Sequence, residues 1–212
     1  MRVVIFAGGT IQPGKAVEAA LASADTIIAA DGGAETALRN SCTPAFVVGD
    51  FDSLDPRIAE ELRGKGSQFI SAPAEKDETD TELAMQLAIK QGATEITLLG
   101  ALGGHRFDHT MANVLLLAGY ESPPIRIVDG DSVGWLLNGP GIATINGKPG
   151  DLLSLLPLTG DADGVSTQGL YYPLRGETLS FGKPRGLSNV LTGKHAEVKL
   201  ERGLLLIIQT LL

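Results

Sequence analysis

The sequence predicts an N-terminal open, mainly parallel α/β sheet with helices on both faces, followed by a C-terminal antiparallel β-sandwich. Two observations predict this fold class. Over residues 1–130, short continuous apolar runs alternate with stretches of helical spacing. Over residues 131–212, short strand-like pieces are separated by turn signals, and no amphipathic helix of useful length is visible. A chain of 212 residues can form two small domains of this kind.

In the first half, six apolar runs are predicted to be strands that helices cover on both faces, because the runs are continuous instead of alternating. These runs are residues 3–7, 26–30, 45–48, 68–70, 96–99 and 125–128. Five stretches between them have helical spacing and end near glycine or asparagine: 15–23, 34–40, 57–64, 81–91 and 109–118. Strand and helix in strict alternation indicate a mainly parallel sheet.

In the second half, seven short pieces are predicted to be strands: 133–137, 142–145, 151–157, 170–174, 177–179, 196–200 and 204–210. Glycine-rich turn signals separate them at 138–141, 146–147, 160–161 and 202–203. Many short strands with frequent turns are typical of an antiparallel sandwich or jelly roll. We place the domain boundary between Asp129 and Val133.

Composition restricts the function. The formal net charge of −8 argues against a general nucleic-acid binder, which would carry a basic face. An acidic protein that handles a phosphorylated ligand usually needs a divalent cation between its carboxylates and the phosphates. Cys42 is the only cysteine, which excludes intramolecular disulfides and cysteine-based zinc sites.

No apolar run reaches the roughly 18 residues of a membrane span, and the N-terminus lacks a signal-peptide pattern. A cytoplasmic protein without membrane contact is therefore expected.

Glycine, aspartate or both follow directly after four of the predicted strands, in segments 8–10, 31–33, 49–53 and 100–108. In an open parallel sheet the carboxyl ends of the strands share one edge, where ligands bind. Glycine there lets a ligand approach the backbone, and helix N-termini offer N–H groups to phosphates. One Gly-Gly pair is more often only a tight turn, and neither the Walker A sequence nor the G-x-G-x-x-G fingerprint is present. Four such turns at one edge predict an acidic, glycine-rich ligand cleft.

Four aspartates in this half point to a metal site. Asp50 and Asp52 alternate across Phe51, so both carboxylates point into the same cleft if the chain is extended there. Asp77 and Asp80 lie at the start of the next long helix, where the helix dipole alone explains one or two carboxylates. Carboxylates that converge repel one another unless they share a cation or protons. We therefore expect Mg²⁺, bound by carboxylates and phosphate oxygens.

Asp80 and two further side chains, Asp108 and Arg106, complete the predicted cleft. Asp80 continues the core-facing stripe of its helix and is expected to point inward. Asp108 starts the following helix after a glycine turn, and Arg106 beside it is suited to clamp a phosphate, since guanidinium matches phosphate oxygens bidentately. We expect structural or solvated roles for the three histidines, His105, His109 and His195, because their spacing does not form a metal site.

These motifs, in this order and spacing, resemble the thiamine pyrophosphokinase family over nearly the whole chain. The resemblance is carried by segments 30–34, 49–53, 76–84, 100–110, 154–158, 169–174 and 186–189. Its most specific parts are Gly-Asp-Phe-Asp-Ser at 49–53 and Arg-Phe-Asp-His at 106–109. The chain departs from the family pattern at His105, which lengthens the step from glycine to arginine by one residue. A second departure is Lys76, where some members carry glutamine.

The resemblance implies a Mg²⁺-dependent homodimer that transfers the pyrophosphoryl group of ATP to the hydroxyethyl group of thiamine, giving thiamine diphosphate and AMP. Residues 1–130 would form the ATP- and Mg-binding catalytic domain. Residues 131–212 would form the thiamine-binding and dimerisation domain, with the thiamine site at the dimer interface. The implied catalytic residues are Asp50, Asp52, Asp80, Arg106 and Asp108, with either Asp80 or Asp108 taking the hydroxyl proton.

The resemblance also implies three sets of binding residues. The metal ligands would be Asp50, Asp52, Asp77 and Asp80. The ATP-binding residues would be Gly8, Gly9, Asp31, Gly32, Gly33, Lys76, Gly103 and Gly104, with a cation at Lys76 able to touch phosphate directly. The thiamine-binding residues would be Ser188 and Asn189.

Three other functions compete with this interpretation. A pyrophosphokinase for another alcohol, such as 6-hydroxymethylpterin, could use the same α/β half, and residues 186–189 favour thiamine over it. A catalytically silent nucleotide-binding regulatory module should have lost carboxylates from the cleft, and here all five are present. A structural β-sandwich adaptor explains the second half of the chain and nothing of the first.

Overall fold

The chain folds as two units, Met1–Gly130 and Asp131–Leu212. The computed structural model describes residues 1–52, 54–73 and 75–212. The fold class expected from the sequence, an α/β unit followed by an antiparallel β unit, is confirmed. None of the helices in the described ranges has the length and apolar character needed to cross a membrane.

The first unit is built on six parallel strands. They are β1 (Arg2–Phe6), β2 (Thr26–Ala30), β3 (Phe46–Gly49), β4 (Gln68–Ser71), β5 (Glu95–Leu99) and β6 (Ile125–Asp129). Within this unit their order is β6-β5-β1-β2-β3-β4, and every neighbouring pair is parallel. Ile5 and Phe6 of the central strand are fully buried, as a strand covered on both faces requires.

Five helices connect these strands: α1 (Lys15–Ser23), α2 (Gly33–Arg39), α3 (Pro56–Gly64), α4 (Asp80–Lys90) and α5 (Phe107–Leu116). A short 3₁₀ turn, Leu117–Gly119, extends the last of them. The N-terminal caps explain two of the starting points. Asp55 accepts a hydrogen bond from the Arg57 N–H ahead of α3, and Thr79 accepts one from the Glu82 N–H ahead of α4.

The strand order reverses direction between β1 and β5, which are neighbours at the centre of the sheet. Successive strands after β1 are added on one side, and β6 is added after β5 on the other. Because crossovers between parallel strands are right-handed, this reversal puts α4 and α5 on the opposite face from α1 to α3. Open α/β sheets bind ligands at such a switch point, outside the carboxyl ends of the strands.

The second unit contains eight strands in two antiparallel sheets. They are β7 (Ser132–Asn138), β8 (Gly141–Asn146), β9 (Leu152–Pro157), β10 (Ala162–Gln168), β11 (Arg175–Leu179), β12 (Asn189–Val190), β13 (His195–Leu200) and β14 (Leu204–Thr210). Within this unit the orders are β12-β9-β14-β7 and β11-β10-β13-β8. Leu155 and Ile207 of one sheet and Val165 and Val198 of the other belong to one buried apolar cluster. The two sheets therefore form a sandwich.

One strand expectation in this unit was wrong, and two strands, β10 and the two-residue β12, were not predicted. Residues 170–174 do not form a strand, since only Leu170 takes part in an isolated bridge, with Leu191. The chain turns there, with Leu170 and Leu174 buried and the residues between them exposed. The sequence interpretation also missed β10, because its polar composition and Gly164, at φ 66°, interrupt the alternation of apolar residues.

Candidate active site

Two adjoining cavities lie at the carboxyl edge of the first unit's sheet. The first, here called the carboxylate cavity, has a volume of about 360 Å³ and is lined by Asp31, Asp50, Lys76 and Asp80, among others. The second, called the glycine cavity, has a volume of about 340 Å³ and is lined mainly by the loops after β1 and β5. The two cavities share four lining residues: Gly8, Thr81, His109 and Asn113.

Three carboxylates meet beside the carboxylate cavity. Each of Asp31, Asp50 and Asp52 offers an oxygen, and these oxygens all lie within 4.8 Å of one another. Asp31 follows β2, and the other two follow β3, which pairs with β2 in parallel. Carboxylate oxygens at this separation are the donor set that a hard divalent cation such as Mg²⁺ prefers. The residues present therefore fit the metal that the sequence predicts, with Asp31 added to Asp50 and Asp52.

The loop that carries Asp50 and Asp52 is a tight turn, so the extended conformation suggested for it was wrong. Phe51 has a left-handed backbone, with φ 64°, and the Asp52 N–H donates to Asp50 Oδ1 at 3.2 Å. The Phe51 ring makes an edge contact with Phe69, with 5.3 Å between centroids. The turn brings the two carboxylates together, and the negative charge of Asp50 raises the pKa of Asp52. Ser53, the last residue of this motif, lies outside the described residues.

Asp80 faces the carboxylate cavity, as its place in the helical stripe predicts. It is paired there with Lys76, whose Nζ donates to Asp80 Oδ1 at 2.7 Å. The Lys76 side chain is only 12% exposed. The bond to Asp80 raises the pKa of Lys76, and the charges of Asp50 and Asp31 raise it further. Lys76 is thus a cation held among the carboxylates of the cavity.

Among the described residues, Asp77 lies outside the group of converging carboxylates, as does Asp80. The Asp77 side chain is exposed, and its neighbour Glu78 lines the carboxylate cavity instead. In the described part of the chain, the group of converging carboxylate oxygens contains Asp31 and does not contain Asp77. The structure therefore favours Asp50 and Asp52 over Asp77 as candidate metal ligands.

Arg106 and Asp108 form an ion pair at the start of α5. Arg106 Nε and Nη2 donate to the two carboxylate oxygens of Asp108 at 3.0 and 2.7 Å. Both side chains are more than half exposed, and the pairing holds the pKa of Asp108 far below its usual range. Arg106 lines the glycine cavity. Two of its five N–H donors are used by Asp108, which leaves three for another acceptor.

Three of the glycines predicted to contact ATP are required by the packing of the backbone. A Cβ on Gly9 would lie 2.1 Å from the carbonyl oxygen of Gly103, and one on Gly103 would lie 2.2 Å from that of Thr10. A Cβ on Gly33 would lie 2.0 Å from the carbonyl oxygen of Phe6. Gly8, by contrast, has nothing within 4 Å of that position, and it lines both cavities. Among these four, Gly8 is therefore the one whose missing side chain leaves open space for a ligand.

The sequence interpretation missed residues on the wall between the two cavities. His109, expected to be structural or solvated, lines both, together with Asn113 and Thr81. Asn113 is buried, and its Nδ2 donates to the carbonyl oxygen of Ala101 at 2.9 Å. The signal that could have found this pair is its spacing, because residues four apart share one face of a helix.

The second unit has a cavity of its own, of about 330 Å³, here called the tyrosine cavity. Its lining includes Tyr171, Tyr172, Arg185, Leu187 and Asn189. The two tyrosine rings pack edge to face, with 4.8 Å between their centroids. Both rings are about two-thirds exposed, which leaves aromatic surface for a ligand.

Ser188 and Asn189, predicted to contact a substrate, have different surroundings. Asn189 is buried, and its Nδ2 donates to the Tyr172 carbonyl oxygen at 2.7 Å. Its Oδ1 accepts from the Tyr172 N–H at 3.0 Å and from the Val190 N–H at 2.9 Å. Ser188 has a left-handed backbone, and its N–H donates to Ser154 Oγ at 3.0 Å. The Asn189 amide therefore fixes the loop that carries the tyrosines.

Comparisons with known proteins agree for both units. The family description "Thiamin pyrophosphokinase, catalytic domain" matches residues 17–128, and "Thiamin pyrophosphokinase, vitamin B1 binding domain" matches residues 142–205. The thiamine pyrophosphokinase of Bacillus subtilis is 27% identical over 186 residues, 86% of each chain. Thiamine pyrophosphokinase 3 of rice is 28% identical over 163 residues, which are 73% of this chain and 61% of that longer one.

Solved structures give the same result. The crystal structure of thiamine pyrophosphokinase from Bacillus subtilis has a TM-score of 0.87 at 25% identity and covers 100% of this chain and 99% of that one. A thiamin pyrophosphokinase family protein from Enterococcus faecalis has a TM-score of 0.84 at 28% identity, with 99% of both chains covered. The enzyme from Candida albicans, at 20% identity and a TM-score of 0.80, shares the fold.

Proposed function

We propose a function from the premise that this chain belongs to the thiamin pyrophosphokinase family. The chain is a thiamine pyrophosphokinase, which transfers the pyrophosphoryl group of ATP to the hydroxyethyl oxygen of thiamine and releases AMP. The structural observation that carries this proposal is the group of Asp31, Asp50 and Asp52 at the carboxyl ends of β2 and β3. Pterin pyrophosphokinase and silent-module functions are not favoured, because the matched relatives are thiamine pyrophosphokinases.

Asp31, Asp50 and Asp52 would hold Mg²⁺ in this enzyme. When bound, the ion supplies positive charge that offsets the negative charge on the phosphate oxygens during transfer. The three carboxylates would hold this ion at the cavity, and the glycine loops would offer backbone N–H groups to the phosphates. ATP would lie in the carboxylate and glycine cavities, whose shared wall at Gly8 leaves room for it.

The thiamine oxygen attacks the β-phosphorus of ATP, and the bond from that phosphorus to the oxygen bridging to the α-phosphate breaks. We assign the hydroxyl proton to Asp80, because it faces the carboxylate cavity. Asp108 is a poorer base, since Arg106 holds its pKa far below the usual range. Arg106 lines the glycine cavity, where its guanidinium would bind the phosphates of ATP.

We place the aromatic rings of thiamine in the tyrosine cavity. The residues lining it all lie within 142–205, the range matched by the vitamin B1 binding domain. Tyrosine faces attract an aromatic cation such as the thiazolium ring. We further propose that the protein is a homodimer and that the partner subunit completes the thiamine site. We also propose that the enzyme acts in the cytoplasm, where ATP is available.

Asn189→Ala is expected to raise the KM for thiamine about tenfold with a smaller change in kcat. The substitution removes three hydrogen bonds that hold Val190 and the backbone of Tyr172, and each bond contributes about 1 kcal/mol. The tyrosine loop then loses its fixed position. Steady-state kinetics with varied thiamine measures this change.

A matched control for that variant is Ser154→Ala. It removes one hydrogen bond, to the Ser188 N–H, on the neighbouring strand. We expect a shift in KM of less than about threefold from this single bond. Equal effects of the two substitutions, or an unchanged KM in Asn189→Ala, would contradict the role assigned to Asn189.

The function itself is tested with purified protein, ATP, MgCl₂ and thiamine. We expect thiamine diphosphate and AMP in equal amounts, with both lost when EDTA removes the metal. A parallel reaction with 6-hydroxymethylpterin should give no product. AMP without thiamine diphosphate, or turnover only with the pterin, would contradict thiamine as the substrate. Either result would remain consistent with the proposed nucleotide site.

A further inference from the structure

Lys76 occupies an unusual position for a lysine. It lies in the loop ahead of α4, with an exposed side-chain fraction of only 12%, and it lines the carboxylate cavity with Asp31, Asp50 and Asp80. Its Nζ donates to Asp80 Oδ1 at 2.7 Å. An ammonium that is shielded from much of the solvent loses part of its hydration, and a neighbouring carboxylate offsets this loss.

Lys65 provides a comparison within the same unit. Its Nζ donates to Glu61 Oε1 at 2.6 Å, also over four residues, but its side chain is 46% exposed. Lys65 lines a separate surface cavity together with Asp25 and Ser67. Exposed pairs of this kind contribute little and respond to salt. The burial and acidic surroundings of Lys76 therefore distinguish it from an ordinary surface lysine.

Two of the carboxylates that line the cavity with Lys76 also fit a divalent cation. Asp50 and Asp31 line the carboxylate cavity together with Lys76, and both belong to the group that fits a metal. A positive charge in this position reduces the attraction of the same carboxylates for Mg²⁺. It also offers a phosphate a charged hydrogen-bond donor.

We propose that Lys76 is the resident counter-ion of the carboxylate cavity, which weakens the binding of free Mg²⁺ and transfers its ammonium group from Asp80 to the polyphosphate when Mg-ATP binds. This inference rests on the proposed function for the nucleotide, and it goes beyond a phosphate contact. It makes the site prefer the metal–nucleotide complex over the metal alone.

The proposal predicts effects of opposite sign from one substitution. In Lys76→Met the cavity loses a positive charge, so we expect free Mg²⁺ to bind about tenfold more tightly. Mg-ATP should bind about tenfold more weakly, because its phosphates lose a donor. A lysine that only stabilised the fold would weaken both, and one that only contacted phosphate would leave Mg²⁺ binding unchanged.

The experiment is isothermal titration calorimetry of the purified full chain with MgCl₂ alone, and separately with Mg-ATP in the absence of thiamine. Lys76→Gln is the second variant, in case the methionine variant does not fold, and Lys76→Arg should restore both affinities toward wild type. Lys65→Gln is the control, because it makes the same charge change at an exposed site and should leave both affinities unchanged.

Tighter Mg²⁺ binding together with weaker Mg-ATP binding in Lys76→Met and Lys76→Gln, and in neither Lys76→Arg nor Lys65→Gln, supports the proposal. Unchanged or weaker Mg²⁺ binding overturns it, as does an equal tightening in Lys65→Gln. These titrations need neither turnover nor thiamine, so their outcome does not depend on the outcome of the thiamine assay. A failure of the thiamine assay with intact Mg-ATP binding would overturn the substrate and leave the role of Lys76 in place.

Discussion

Asp50→Asn is expected to lower kcat by about a thousandfold. Asp50 is half-buried, faces Lys76 in the carboxylate cavity, and contributes one of the three converging carboxylates. The amide keeps the size of the side chain and removes its charge, so the divalent cation loses a ligand and the phosphates lose the ion's compensation. Formation of thiamine diphosphate and AMP under saturating substrates measures the loss, and calorimetry with MgCl₂ measures the weaker metal binding.

Asp25→Asn is the matched control, because Asp25 is an exposed carboxylate that pairs with Arg2, away from both cavities. Its kcat should equal that of the wild type. Asp77→Asn adds a separate comparison, since Asp77 is exposed beside the cavity. A thousandfold loss there would restore Asp77 as a ligand. Retention of more than a tenth of the activity in Asp50→Asn would contradict the assignment of the metal site.

Gly9→Ala is expected to reduce the free energy of unfolding by about 3 kcal/mol and to abolish ATP binding. The added Cβ would lie 2.1 Å from the Gly103 carbonyl oxygen and 2.4 Å from that of Gly100. Both contacts are with backbone, so no flexible side chain can move aside. The loops after β1 and β5 must separate, which breaks the hydrogen bond from the Gly9 N–H to the Gly100 carbonyl oxygen. Urea unfolding and Mg-ATP titration measure the two effects.

Gly8→Ala provides the comparison at the adjacent residue. A Cβ there meets nothing within 4 Å, so the free energy of unfolding should change by less than about 1 kcal/mol. ATP binding should still weaken, because Gly8 lines both cavities. Similar losses of stability in the two variants would show that the close approach of the two loops does not decide the packing.

Most strands of the first unit were predictable because they are buried on both faces, and the edge strand β4 is the exposed exception. Segments such as residues 26–30 are continuous apolar runs, and their bounds agree with β2. The helix α4 was predictable from its cap as well as its spacing. In the sandwich the signal is weaker, because one face of each strand is exposed. The strand β10 was missed since Val165 is one of few apolar residues in it.

The location of the candidate site at one edge of the sheet was predictable from the sequence. The contacts between its side chains were less predictable. Strand ends followed by glycine and aspartate identify the edge, but the order of the strands is not encoded locally. Asp31 joins Asp50 only because β2 and β3 are neighbours. Pairings such as Arg106 with Asp108 and Lys76 with Asp80 depend on side-chain conformations that residue spacing does not fix.

The left-handed turn at Phe51 gives the loop that carries Asp50 and Asp52 a defined conformation before any ligand binds. The Phe51 ring rests against Phe69, and the Arg63 guanidinium carbon lies 4.1 Å from the centre of the Phe69 ring. A non-glycine residue in this conformation is held by its surroundings at a cost of about 1 kcal/mol or more. The loop is therefore preorganised during folding, and a ligand does not bear the entropic cost of shaping it. We expect substitutions at Phe69 and Arg63 to change the affinity of the proposed metal site, although neither residue is a carboxylate of that site.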